Sequence, residues 1–138
     1  MSTEQHYFDL HTRGIGYVNR LRAVTPKKSQ SFMACTIAAL RGRSDEPDYT
    51  YIDVRIYNDA ACELLESCQE ALNNKQKVLI AFTVGDIYPE SFTYEKGEKK
   101  GQTGCGIKGR LIRITCIKID GHEVFRESAQ PQPAEAGA

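Results

Sequence analysis

The sequence predicts an all-β domain with one helix, in which five strands close into a small barrel. Three observations predict it. The segments run strand, strand, strand, helix, strand, long loop, strand, an order that suits a small closed barrel. The third strand has one apolar face and one aromatic, charged face. Two cationic loops fall before the second and the fifth strands. A chain of 138 residues is long enough for one domain with its own core and a short tail.

Taken in order, residues 1–12 read as a flexible lead. Residues 14–24 carry Tyr17, Val18 and Leu21 and read as the first strand. Residues 25–31, with Pro26, Lys27 and Lys28, read as a loop. Residues 32–40 are apolar, short and flanked by Ser and Gly, so a buried strand is expected, with helix as the competitor because of its alanines. Phe32 and Met33 are expected in the core. Residues 41–48 form a polar loop with Gly42 and Pro47, and residues 49–57 the third strand. Asn58 or Asp59 offers a helix N-cap. Ala61, Leu64, Leu65, Cys68 and Leu72 recur at helical spacing, and Asn73 and Asn74 close that single helix. Residues 78–84 form the fourth strand, residues 86–106 a long polar loop rich in Gly and Lys, and residues 107–119 the fifth strand, before a turn at Asp120 and Gly121. The Pro/Ala/Gln-rich end reads as disordered. The expected division is a lead at 1–12, a barrel domain at 13–126 and a tail at 127–138.

The third strand is the most informative segment. Alternation puts Thr50, Ile52, Val54 and Ile56 on one face, an ordinary core face. The other face carries Tyr49, Tyr51, Asp53, Arg55 and Tyr57. Rings flanked by cations on an open sheet suit the stacking of unpaired bases. The bland reading of the same rings is packing under a loop or in a subunit interface.

Charge placement favours the first reading. The net charge is zero, yet no Asp or Glu occurs between Asp9 and Asp45, where Arg13, Arg20, Arg22, Lys27, Lys28, Arg41 and Arg43 lie. A second basic tract holds Lys96, Lys99, Lys100, Lys108, Arg110 and Arg113, with only Glu95 and Glu98 mixed in. Segregated charge of this kind can build a basic groove on a neutral protein. Five-stranded barrels of the oligonucleotide-binding (OB) class bind along their middle strands and two flanking loops. The two cationic loops, at 25–31 and 86–106, occupy those loop positions.

Other chemistries find less support. No run of about 18 apolar residues exists to form a membrane span. The start of the chain is polar and charged, unlike a secretory signal. Five cysteines, with no Cys-x-x-Cys pair, suggest buried thiols and a reducing cytoplasm rather than a disulfide framework. The glycine-rich residues 101–109 precede a strand-like segment, not the helix a phosphate-cradling loop needs. Cys105 is the most exposed thiol expected, but His6, His11 and His122 show no spacing that makes it a nucleophile or a zinc ligand. Asp53 is expected to pair with a neighbouring Arg. No catalytic residue, metal or cofactor is expected.

The chain resembles the bacterial single-stranded DNA-binding proteins over roughly residues 14–119. Gly14-Ile15-Gly16-Tyr17-Val18-Asn19-Arg20-Leu21 is similar to that family's opening strand, and Tyr51-Ile52-Asp53-Val54-Arg55-Ile56-Tyr57 to its third. The family stacks bases on a Trp and, six residues on, a Phe; Tyr51 and Tyr57 occupy those places. A further family Trp follows the fourth strand, where Tyr88 or Phe92 is the candidate here. Asn74-Lys75 leads into Val78-Leu79-Ile80 as the family's Lys-Gly turn leads into its fourth strand. The chain has no Trp, and its end lacks the family's acidic run and apolar tip, so recruitment of partners through the tail is not expected. The pattern also resembles divergent replication proteins of integrative and conjugative elements.

The resemblance implies a cytoplasmic, sequence-nonspecific binder of single-stranded DNA in replication or recombination. It implies a homo-oligomer, dimer or tetramer, with replication proteins as partners. Bases are expected on Tyr51, Tyr57 and one or two of Tyr88, Phe92 and Tyr94, with Arg55 beside Tyr51 and Tyr57 in a cation–π or phosphate contact. Phosphates are expected along Arg20, Arg22, Lys27, Lys28, Arg41, Lys96, Lys99, Lys100, Lys108 and Arg110. Two other readings stand beside this one: a protein-interaction barrel without direct DNA binding, and a small hydrolase or nuclease using residues 86–106.

Overall fold

A computed structural model describes residues 8–27, 30–56 and 58–127. Six strands and two short helices follow one another: β1 (His11–Val24), β2 (Phe32–Arg43), β3 (Glu46–Ile56), α1 (Asp59–Glu66), α2 (Gln69–Asn73), β4 (Val78–Thr93), β5 (Thr103–Ile119) and β6 (His122–Arg126). The sheet order is β3-β2-β1-β4-β5-β6. A parallel pairing of β3 with β5, from Ile52↔Ile107 to Ile56↔Leu111, closes the first five strands into a barrel. Five strands, this order and a helical segment between β3 and β4 make the barrel OB-fold-like.

Alternation builds the interior. Val18, Cys35, Ile37, Ile52, Val54, Ile56, Ile80, Phe82, Val84, Leu111, Ile114 and Ile117 point inward from five strands. Ala61, Leu65, Cys68 and Ala71 close one end from the helices. Burial pushes the Cys35 thiol up to about 12, so it is an inert core residue. Glycines allow the closest approaches. A Cβ on Gly109 would lie 2.7 Å from Val84 Cγ1, and one on Gly16 would lie 2.6 Å from the Ala38 carbonyl oxygen.

Several expectations need correction. The long loop at 86–106 is a β-hairpin arm: β4 and β5 stay paired out to Thr93↔Thr103, and only residues 94–102 turn. Beyond the barrel both faces of the arm meet solvent, so no apolar alternation marked it in the sequence. The single helix is two. The Ser67 hydroxyl donates to the Leu64 carbonyl at 2.6 Å and ends α1, while Cys68 stays buried and α2 restarts. A sixth strand follows the Asp120-Gly121 turn and pairs with the end of β5. The polar stretch 41–48 is mostly strand, with β2 and β3 paired to Arg43↔Glu46.

The lead is also shorter than expected, since β1 begins at His11 and the Leu10 carbonyl accepts from the Asp86 amide at 2.9 Å. Met33 packs against the core as expected. Phe32 does not: it shares the outer face with Ala34, and the Arg55 guanidinium lies 4.0 Å from its ring centroid. Of the expected tail at 127–138, Glu127 is placed, its amide donating to the Thr115 carbonyl at 2.8 Å, and residues 128–138 lie outside the described residues.

Candidate nucleic-acid interface

The outer face of β1, β2 and β3 follows from register. Tyr17 pairs with Ala38, and Ala38 with Tyr51, so two tyrosines flank an alanine across three strands. The small side chain between them leaves the rings room to stand up. Tyr51 is 60% exposed. Its ring centroid lies 6.2 Å from that of Tyr49, and Tyr49 lies 6.5 Å from Tyr17. One register step along, Thr36 pairs with Asp53, and Asp53 with Lys108 on β5.

The hairpin arm adds a second aromatic row. Tyr88, Glu90 and Phe92 pair with Lys108, Gly106 and Gly104, so they share the arm face that continues from Asp53. Gly104 has no side chain to separate Phe92 from Tyr94, whose rings meet edge to face at 5.1 Å. Phe92 and Tyr51 line the same groove of about 410 Å³, together with Arg20, Asp53, Cys105 and Lys108. Tyr88 lines the adjoining hollow with Arg22, Arg55 and Lys108. Tyr94 stands behind Phe92, with Lys99 Nζ 5.6 Å from its ring centroid.

Asp53 is the electrostatic centre. Its carboxylate accepts from Lys108 Nζ at 3.1 Å, from the Thr36 hydroxyl at 2.9 Å and from Arg22 Nη2 at 3.3 Å. Burial alone would raise the Asp53 carboxyl, but these hydrogen bonds and the charges of Lys108 and Arg22 hold it below the ordinary carboxylate value. Burial likewise would lower Lys108, yet Asp53 and then Glu90, at 3.5 Å, raise it. The expected Asp53–Arg pair is present, and it engages Arg22 and Lys108 inside the protein. Arg110 is similarly engaged by Asp86 at 2.6 Å.

Several other cations have no ion pair among the described residues. Arg20 sits in a β1 bulge with φ 55°, and the Arg22 guanidinium caps its carbonyl at 2.9 Å. The bulge turns Arg20 into the Tyr51–Phe92 groove and into a second hollow on the other side of Tyr51. Lys27 is exposed in the loop between β1 and β2, and Lys96, Lys99 and Lys100 are exposed at the arm's turn. Arg41 lies apart, 3.9 Å from Asp48, in a hollow beyond Tyr17 and Tyr49. Tyr57 and Lys28 lie outside the described residues. Tyr17 and Phe32 belong to the face although sequence reasoning gave them no role there. The signal that would have found Tyr17 is its register with Ala38, which pattern alone does not reveal.

No group of three or more His, Cys, Asp or Glu side chains that could hold a metal occurs among the described residues. No helix among them is long and apolar enough to cross a membrane. A family model described as "Protein of unknown function (DUF3577)" matches residues 1–132. The chain belongs to that family. No curated protein and no solved structure matches it. The family description names no activity, so the function of this DUF3577 member rests on its surface.

Proposed function

We propose that this DUF3577 protein binds single-stranded DNA without regard to sequence. The carrying observation is Tyr51, open to solvent between two grooves that share Arg20. Bases stack on Tyr51, Phe92 and Tyr88, while phosphates meet Arg20, Lys27 and the lysines of the arm's turn. Stacking is indifferent to sequence because every base has a π-face, and it contributes about 1–3 kcal/mol per base. The OB-like barrel and the resemblance to bacterial single-stranded DNA-binding proteins support the same reading. They support a cytoplasmic role in replication or recombination, including that of a mobile element, and a homo-oligomer as the working form.

The test uses the protein's own tyrosines, since it has no Trp to mask them. Oligo-dT is titrated while tyrosine emission is followed, with a duplex of equal length as control. Quenching by the single strand, a Tyr51→Ala affinity loss of about fivefold or more, and a Tyr51→Phe variant near wild type are expected. Unchanged affinity in Tyr51→Ala would remove the stacking platform.

A further inference from the structure

The face extends past Tyr51 to a hollow of about 510 Å³ between the β1–β3 tyrosines and the turn after α2. We propose that this hollow is a second nucleotide subsite, taking one base against Tyr17 and Tyr49 and the adjoining phosphate against Arg20, Lys75 and Lys77. The proposal rests on the single-strand reading above and deepens it.

Its chemistry differs from that of the central groove. No Asp or Glu lines it, whereas Asp53 and Glu90 line the groove between Tyr51 and Phe92. Lys77 Nζ lies 6.0 Å from the Tyr17 ring centroid, placing a cation beside the rings. Tyr49 stands between Tyr17 and Tyr51, so the three rings form one row into the groove.

Backbone conformation gives an independent argument. The Gln76 amide donates to the Ala71 carbonyl at 2.9 Å and the Lys75 amide to the Leu72 carbonyl at 3.0 Å. This helix ending puts its left-handed position at Lys75, with φ 63°, where glycine is the usual residue. Arg20, with φ 55°, is the second left-handed residue lining the hollow. Glycine would serve the fold better at either position. Long cations there, both on one hollow, fit a ligand clamp. The turn is also fixed in advance. Asp120 accepts from the Lys77 amide and from Gln76 Nε2, each at 3.0 Å, and its own amide donates to the Lys77 carbonyl at 2.9 Å.

The experiment compares oligo-dT of increasing length on the full chain, wild type against Lys75→Gly combined with Lys77→Gln. The expected result is equal binding of the shortest oligomers, which fill only the Tyr51–Phe92 groove. With long oligomers the variant loses about tenfold in affinity, and its salt slope falls by about 0.7, the share of the one phosphate held there. Lys75→Gly alone melts no lower than wild type, which separates lost binding from lost fold. Identical length dependence and salt slope in the two proteins would overturn the subsite while leaving the Tyr51 reading standing. A wild type that binds no oligomer of any length would overturn that reading first. A Tyr17→Ser, Tyr49→Ser variant that sediments as a smaller assembly yet keeps wild-type length dependence would assign the hollow to subunit contact and also overturn the subsite.

Discussion

Asp53 stands in the middle of a surface read as a polyanion site, and its surroundings explain why it is tolerated. Arg22, Thr36 and Lys108 satisfy it, so the centre of the face is close to neutral while cations gather at its ends. Two opposite effects follow for Asp53→Asn. Stability falls by about 1–2 kcal/mol, because two partly buried cations lose their anion. Oligo-dT affinity rises, because Arg22 and Lys108 become available to phosphate. The pH dependence has a definite sign. The folded carboxyl titrates below its unfolded value near 3.9, so its contribution is complete above about pH 5 and fades as pH falls through the folded value. Lys108 titrates above its ordinary value, so its contribution is lost only in strong alkali. Urea unfolding of both proteins should show a gap at pH 7 that narrows steadily below pH 5. A gap independent of pH would mean that Asp53 contributes packing rather than charge. The Asp53 pairing and the open side of Tyr51 were legible in the third strand, since alternation alone separates faces. The left-handed backbone at Arg20 was not, because no residue type there announces a bulge.

The hairpin arm is the element that sequence reasoning described least well. Its residues are polar on both faces because no core lies beneath them, and polarity without alternation reads as loop. What makes it strand is continuous pairing with β5, anchored in the barrel by Val84↔Leu111 and Gly85↔Arg110. A bulge at Asp86, with φ 56°, then bends the strand. On the arm, Gly104 carries the aromatic pair. A Cβ there would lie 2.7 Å from Phe92 Cε1 and Cζ and 2.9 Å from Tyr94 Cε2, so a side chain must push both rings aside. The rings lie outside the core, and the barrel below does not depend on them. Gly104→Val should therefore leave thermal stability within about 0.5 kcal/mol of wild type. It should weaken oligo-dT by about fivefold or more, as one stacked base is displaced. Thermal melts and the fluorescence titration check the two halves separately. A stable variant with wild-type affinity would take Phe92 out of the site.

At the scale of the molecule, element order sufficed to foresee the barrel, because three strands, a helical segment and two strands have few ways to close. The charge pattern was legible too, but the pairing of its members was not, since ion pairs join residues distant in sequence such as Asp53 and Lys108. That pairing changes what the charge predicts. On the proposed reading, Arg22 and Lys108 would exchange Asp53 for a phosphate and so contribute little to counterion release. Arg20, Lys27, Lys75, Lys77, Lys96, Lys99 and Lys100 have no ion pair among the described residues, so phosphates landing there release counterions in full. If between four and seven of them engage, log affinity should fall with log salt at a slope of about 3 to 5, near 0.7 per phosphate. A slope near zero, measured by oligo-dT titration across a tenfold range of salt, would mean that the rings bind without the cations. The neutral net charge would then describe the surface as well as the composition.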